Sequence, residues 1–186
     1  MKSLMYKIVV VFIIQYFLVS CVPIGPGSRL YKPISDREQW VYNSASKSIY
    51  PDDVREDTKK FGDSLLVWAG IIKNYTVNKL ENKTELELLI EHHYYDWIED
   101  YGMQREKIFL SPRGEGLFKT KWYLNKDVDL KNVDNFSKKG NMAIVYGKPI
   151  EMQDDSTIVL ECIYLRGIDK LWYRTDVMDY GRSGDY

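Results

Sequence analysis

The chain has 186 residues, 26 of them Lys or Arg and 27 Asp or Glu, for a formal net charge of −1, with 45% hydrophobic and 28% charged residues. So even a balance gives no electrostatic reason for a nucleic acid or an anionic membrane surface as the main partner, and no nucleic-acid partner is expected. With only two cysteines, Cys21 and Cys162, there is no disulfide framework, and the length suits one domain with one sizeable core.

The first twenty residues read as a leader. Lys2 and Lys7 precede an apolar run from Ile8 to Val19 interrupted only by Gln15, too short to span a bilayer, which needs about 20 residues. Leu18-Val19-Ser20-Cys21 follows it directly. A cysteine at that place, behind a basic start and an apolar core, is the pattern of a bacterial lipoprotein signal, in which the thiol is acylated and becomes the mature N-terminus. Alternatives are a conventional signal peptide cut elsewhere, an uncleaved N-terminal helix, or a Cys21–Cys162 bridge. Loss of residues 1–20 removes two lysines and no acids, leaving 24 basic against 27 acidic residues, a net charge of −3.

Residues 21–50 read as the lipidated N-terminus, a tether and an irregular segment. Val22-Pro23-Ile24-Gly25-Pro26-Gly27-Ser28 is too rich in Pro and Gly to hold helix or ladder. Trp40, Tyr42 and Tyr50 suggest that later parts of the segment pack on the body. A domain is expected over 51–173. Pro51 to Lys60 opens with acids and closes with lysines, matching a helix dipole, and predicts a short helix ending at Gly62. Leu65–Ile72 predicts a strand with a bulge or bend at Gly70. Polar Asn74–Lys83 predicts the hairpin connection, and Thr84–Trp97 a long strand. On that strand Leu86, Leu88, Ile90, His92 and Tyr94 share one face, and Glu85, Glu87, Glu91 and His93 the other.

A short strand over Lys107–Leu110 and a loop over Ser111–Gly116 come next. Strands are then predicted for Leu117–Leu124, Met142–Tyr146 and Thr157–Arg166, with a turn at Gly147-Lys148-Pro149. Val128, Val133 and Phe136 have helical spacing within 127–139, closed by Gly140. Residues 174–186 read as a flexible tail. Five strands with a helix between the third and fourth give the expected fold class: mainly β, a small five-stranded OB-like Greek-key barrel, with a β-sandwich or meander as the alternative.

The lipobox at Cys21, the strand Leu65–Ile72, the segment Met142–Gly147, and Ile163–Gly167 ahead of Leu171-Trp172-Tyr173 together resemble the Slp family of starvation-inducible outer-membrane lipoproteins. The likeness covers about residues 52–173. It departs over His92–Gly116, which is longer and more aromatic. The resemblance implies an outer-membrane location and a barrel fold, and brings no catalytic residues with it. Val22 is not the aspartate that marks inner-membrane retention in enteric bacteria, which also favours the outer membrane, on its periplasmic face.

Two side-chain groups invite a chemical reading. His92 and His93 lie near Asp96, Glu99 and Asp100, but neighbours on a strand point to opposite faces and the chain has no third histidine, so neither a metal nor another cofactor is expected. The expected places are the core edge for His92 and a wet face beside Glu91 for His93. Tyr94, Tyr95, Trp97, Tyr101 and Trp122, interleaved with Lys119 and Lys121, have the composition of a stacking surface. Peptidoglycan, lipid or another envelope protein are its candidate partners, besides the membrane held through acyl chains. No catalytic residues can be assembled, so a non-enzymatic structural or binding protein is expected. The alternatives are a subunit of a secretion or surface-appendage assembly and a metal-assisted enzyme using His92 or His93.

Overall fold

The structure, a computed structural model, describes residues 33–100, 105–127, 131, 133 and 137–175, with the side chains of 96–100, 105–107 and 174 outside the described set. The first described element is helix α1, Asp36–Ser44, inside the stretch read as irregular. Ser35 caps it, its Oγ accepting from the Glu38 N–H at 3.2 Å. Buried Glu38, Val41 and Ala45 follow at helical spacing and face the body. The helix expected from Pro51 to Gly62 is two pieces, α2 (Pro51–Glu56) and α3 (Thr58–Phe61). The break is Asp57, whose backbone leaves the helical region at φ −150 and whose carboxylate caps α3 by accepting from the Lys60 N–H at 3.1 Å.

Five strands close a barrel. Strand β1 (Leu66–Lys79) pairs antiparallel with β2 (Lys83–His92) and, through its first half, with a strand near the C-terminal end of the domain. A small sheet intervenes in sequence: β3 (Tyr95–Asp100) and β4 (Arg105–Leu110) form an antiparallel pair. Strand β5 (Leu117–Asn125) returns to the barrel beside β2. Strands β6 (Met142–Met152) and β7 (Ile158–Ile168) pair antiparallel. Parallel pairing of Phe118–Lys121 with Ile158–Glu161 seals the wall, giving the cyclic order β1-β2-β5-β7-β6. After a 3₁₀ turn at Lys170–Trp172, β8 (Tyr173–Arg174) adds to β4 in parallel.

Numbered within the barrel, the order is one-two-three-five-four, the topology of an OB-fold. The expected fold class holds. Of the helix expected over 127–139, Lys131 and Val133 are helical, and Val133 is buried in the barrel core. The remainder of that stretch up to Phe136 lies largely outside the described residues.

Several element boundaries differ from expectation for local reasons. Strand β1 runs on to Lys79, with its register shift between Ile72 and Asn74 and not at Gly70. Gly70 answers to close approach instead, since a Cβ there would sit 2.1 Å from the Glu91 carbonyl oxygen. The turn expected at Gly147-Lys148-Pro149 is strand, accommodated by register shifts after Tyr146 and Pro149. Pro lacks a ladder donor and is tolerated at such irregularities. The strand expected over 84–97 is broken after His92.

Two apolar clusters result. The inner one fills the barrel with Trp68, Leu86, Leu88, Ile90, Phe118, Val145, Leu160 and their neighbours. The outer one lies beneath α1 and the small sheet: Val41 and Ala45 meet Val67, Ala69, Ile108, Leu110, Met142, Ile144 and Tyr146. Consecutive residues Met142 to Tyr146 are all fully buried, because β6 is covered on both faces.

Candidate functional site

The densest polar arrangement lies where β2 ends and β5 begins. Gly114 brings the 111–116 loop against the end of β2: a Cβ there would lie 1.7 Å from the His92 carbonyl oxygen. The Glu115 N–H donates to His92 Nδ1 at 3.1 Å, and the His92 N–H to the Gly116 carbonyl at 2.8 Å. Glu115 is 8% exposed. Its carboxylate accepts from the Tyr94 hydroxyl and, at 2.8 Å, from the Asp52 N–H. Arg55 completes the knot. Its guanidinium donates to the Glu115 carbonyl at 2.7 Å and the Ser156 carbonyl at 3.1 Å, and pairs with Asp52.

Rings fill the space beside these groups. His92 makes edge contacts with Tyr94, Tyr50 and Trp68 at centroid distances of 5.1, 6.0 and 6.4 Å. Chemically, this arrangement binds a loop, a helix and two strand ends into one unit. Sequence reasoning singled out His92 and Tyr94 but missed Glu115 and Arg55, which lie 60 residues apart and carry no spacing signal.

His93 departs from the wet-face expectation. Alternation still sets it beside Glu91, as expected, and its N–H still donates to the Ala69 carbonyl at 2.9 Å, but the face is covered and His93 is only 8% exposed. Its Nδ1 donates to the Ser111 carbonyl at 2.7 Å, and Nε2 lies 3.3 Å from a Glu91 carboxylate oxygen that also pairs with Lys73. The Lys73 hydrogen bond, foremost, holds the Glu91 carboxyl below its ordinary value. Among the described residues, no three His, Cys, Asp or Glu side chains gather in a metal-binding group.

The aromatic and lysine group read from the sequence is distributed over separate places. Tyr94 belongs to the knot, while Tyr95 packs on the outer cluster. Trp97 lies on β3 with its side chain outside the described set, and Tyr101 lies outside the described residues. On β5, Trp122 turns inward against the barrel core. Lys119 and Lys121 take the alternate positions on the exterior, 3.6 Å from Glu87 and 3.9 Å from Glu151. Beside them Lys83 stacks on the Tyr123 ring at 3.5 Å. The exterior of β2 and β5 is thus a wall of paired charges with Trp122 behind it. Cys21 lies outside the described residues.

No family model and no curated protein matches the chain. Among solved structures, it is similar to a small single-stranded DNA-binding protein from Streptomyces coelicolor, with 10% identity, 55% of this chain and 90% of that chain covered, and a TM-score of 0.37. The expectation of no nucleic-acid partner is corrected and not kept. The expectation rested on net charge, a sum over the whole surface that does not describe any one face. At this TM-score the likeness assigns no ligand to the chain, and the OB topology rests on the strand order given above.

Proposed function

We propose that this chain is a lipid-anchored protein of the bacterial cell envelope, held through acyl chains on Cys21 at the periplasmic face of the outer membrane, with the barrel as a structural or binding module. The observation that carries the reading is the run Leu18-Val19-Ser20-Cys21 behind a basic, apolar leader. Each buried methylene contributes about 0.8 kcal/mol, so two or three chains hold a protein on a bilayer where one does not. The resemblance to the Slp family and Val22 after the cysteine support the outer membrane.

The place of Cys162 adds support from the other end of the chain. It is a free, buried thiol in the inner cluster, its pKa pushed up to about 12, chiefly by burial. The barrel therefore makes no demand on the Cys21 sulfur. A structural or binding role is read in preference to catalysis because the polar knot around Glu115 is engaged in joining elements of the fold.

Intact mass of the protein extracted from membranes tests the anchor. A product starting at Cys21 with the mass of added acyl chains is expected, and Cys21→Ala should move the protein out of the membrane fraction. Retention of residues 1–20 without acyl mass would overturn the proposal.

A further inference from the structure

We infer that His92 and His93 form an acid-sensitive latch on the 111–116 loop: their rings hold it through hydrogen bonds that need opposite charge states, and acid opens the His92 side. The inference goes beyond the anchor reading and does not depend on it.

The partners of each ring set its protons. A backbone N–H only donates, so the Glu115 N–H, 3.1 Å from His92 Nδ1, needs that nitrogen bare. His92 makes this bond only as the neutral ring, with its proton on Nε2. His93 meets the reverse. Its Nδ1 lies 2.7 Å from the Ser111 carbonyl and its Nε2 3.3 Å from the Glu91 carboxylate. Two acceptors are both satisfied only when both ring nitrogens carry a proton. The chain has no other histidine, and these two are turned to one loop, His93 to its first residue and His92 to its fifth. Acid thus strengthens the hold at Ser111 and removes the one at Glu115.

A proton on His92 Nδ1 sets two donors head to head, and neither has room to step aside. The ring is in edge contact with Tyr94, Tyr50 and Trp68. The loop backbone is seated so closely that a Cβ at Gly114 would lie 1.7 Å from the His92 carbonyl oxygen. Protonation therefore lifts Glu115, and with it the contacts of its carboxylate to Tyr94 and to the Asp52 N–H in the first turn of α2. Backbone bonds at Gly116 and Ser111 remain, so the loop shifts without detaching. The charged groups about His92 are Glu115, Asp52 with its partner Arg55, and Asp53, which accepts from the Tyr50 N–H. Those about His93 are Glu91 and Lys73, and Arg113, within the loop, is exposed. Imidazole ordinarily titrates at about pH 6.5. The closed latch excludes a proton that the released ring accepts, so it is favoured above that range and lost as pH falls.

The test follows the full chain, isotope-labelled and in detergent micelles, by NMR from about pH 7.5 to about pH 4.5. Long-range nitrogen–proton spectra should show His92 protonated at Nε2 alone at the upper end, and His93 protonated at both nitrogens at the lower. As His92 gains its second proton, hydrogen-exchange protection of the Glu115 amide should fall about tenfold relative to that of Ile90 in β2, the effect of stranding one buried donor. His92→Asn, whose side-chain oxygen accepts in place of Nδ1 and does not titrate, should keep that amide protected throughout. A proton on His92 Nδ1 at the upper end overturns the inference, as does a His92 ring neutral over the whole range. So does Glu115 protection that stays unmoved while His92 titrates, or that falls with acid in a folded His92→Asn as in wild type. Should that variant not fold, the wild-type titration alone decides.

Discussion

The barrel wall has two halves that differ in what lies outside them. Across β2 and β5 the exterior is open to solvent and carries Glu87 with Lys119 and Lys121 with Glu151. Across β1, β6 and β7 it is roofed by α1 and the small sheet over a second apolar cluster. The first half has a dry interior and a wet exterior, and its sequence alternates. The second is dry on both sides at Leu66–Ala69 and Met142–Tyr146, where its sequence is a continuous apolar run, while β7 still exposes Glu161 and Gly167. In the roofed half, side chains that would otherwise face water hold an added layer in place.

The contrast can be sharpened by probing inside and outside separately. The largest effect belongs to Cys162, which faces the inner cluster. With its pKa pushed to about 12, its reaction with an aromatic disulfide at pH 8 should be about a thousandfold slower than that of an ordinary thiol, and should speed up only on unfolding. A fast native reaction would mean the interior is accessible. Next come neighbours on one strand. Leu88→Ala should cost about 3–4 kcal/mol, since Leu88 is fully buried, whereas Glu87→Ala, one residue away on the open wall, should change stability by no more than about 0.5 kcal/mol. Urea denaturation of both reads the difference, and equal costs would abolish the distinction between the wall's two sides.

The roof is tested by Glu38→Ala. It leaves the Arg166 guanidinium without its buried partner, at a cost of about 3 kcal/mol, and should expose the amides of 36–44 to hydrogen exchange well before those of β2. Exchange unchanged in α1 would show that the helix is held by its apolar contacts alone. The smallest effect is the pH response of the Lys73–Glu91 pair. Because the folded-state carboxyl sits below its ordinary value, its contribution is present above the unfolded carboxylate pKa and is lost as pH falls through the folded one. The Glu91 side chain is 40% exposed, so solvent screening limits the contribution to about 0.5 kcal/mol or less. Lys73→Met should move the Glu91 titration, followed by NMR, back up toward ordinary carboxylates.

The open half was legible in the sequence because alternation is a local signal. Leu86, Leu88, Ile90 and His92 face inward as their spacing predicts. The roofed half was harder. Helix α1 turns a charged residue, Glu38, toward the body, so its apolar face is short, and the partners of that carboxylate include the Ile34 N–H, outside the helix, and the distant Arg166 guanidinium. The break after His92 was invisible for a similar reason. It falls where the Gly114 backbone packs against the His92 carbonyl and the Glu115 N–H caps the His92 ring, contacts made by a loop more than twenty residues away. Lys119, Lys121 and Trp122 looked like one surface by composition, yet period-two alternation on β5 divides them between outside and inside. Parity, applied to that segment, already contained the division.

Because Phe118–Lys121 runs alongside Ile158–Glu161 and completes the ring of ladders, every strand of the barrel is paired on both sides over part of its length, and none offers a whole free edge to a neighbouring copy. An unpaired edge is the usual template for intermolecular β association, and crowding on a surface raises the frequency of such encounters. Closure thus limits strand addition through the barrel wall.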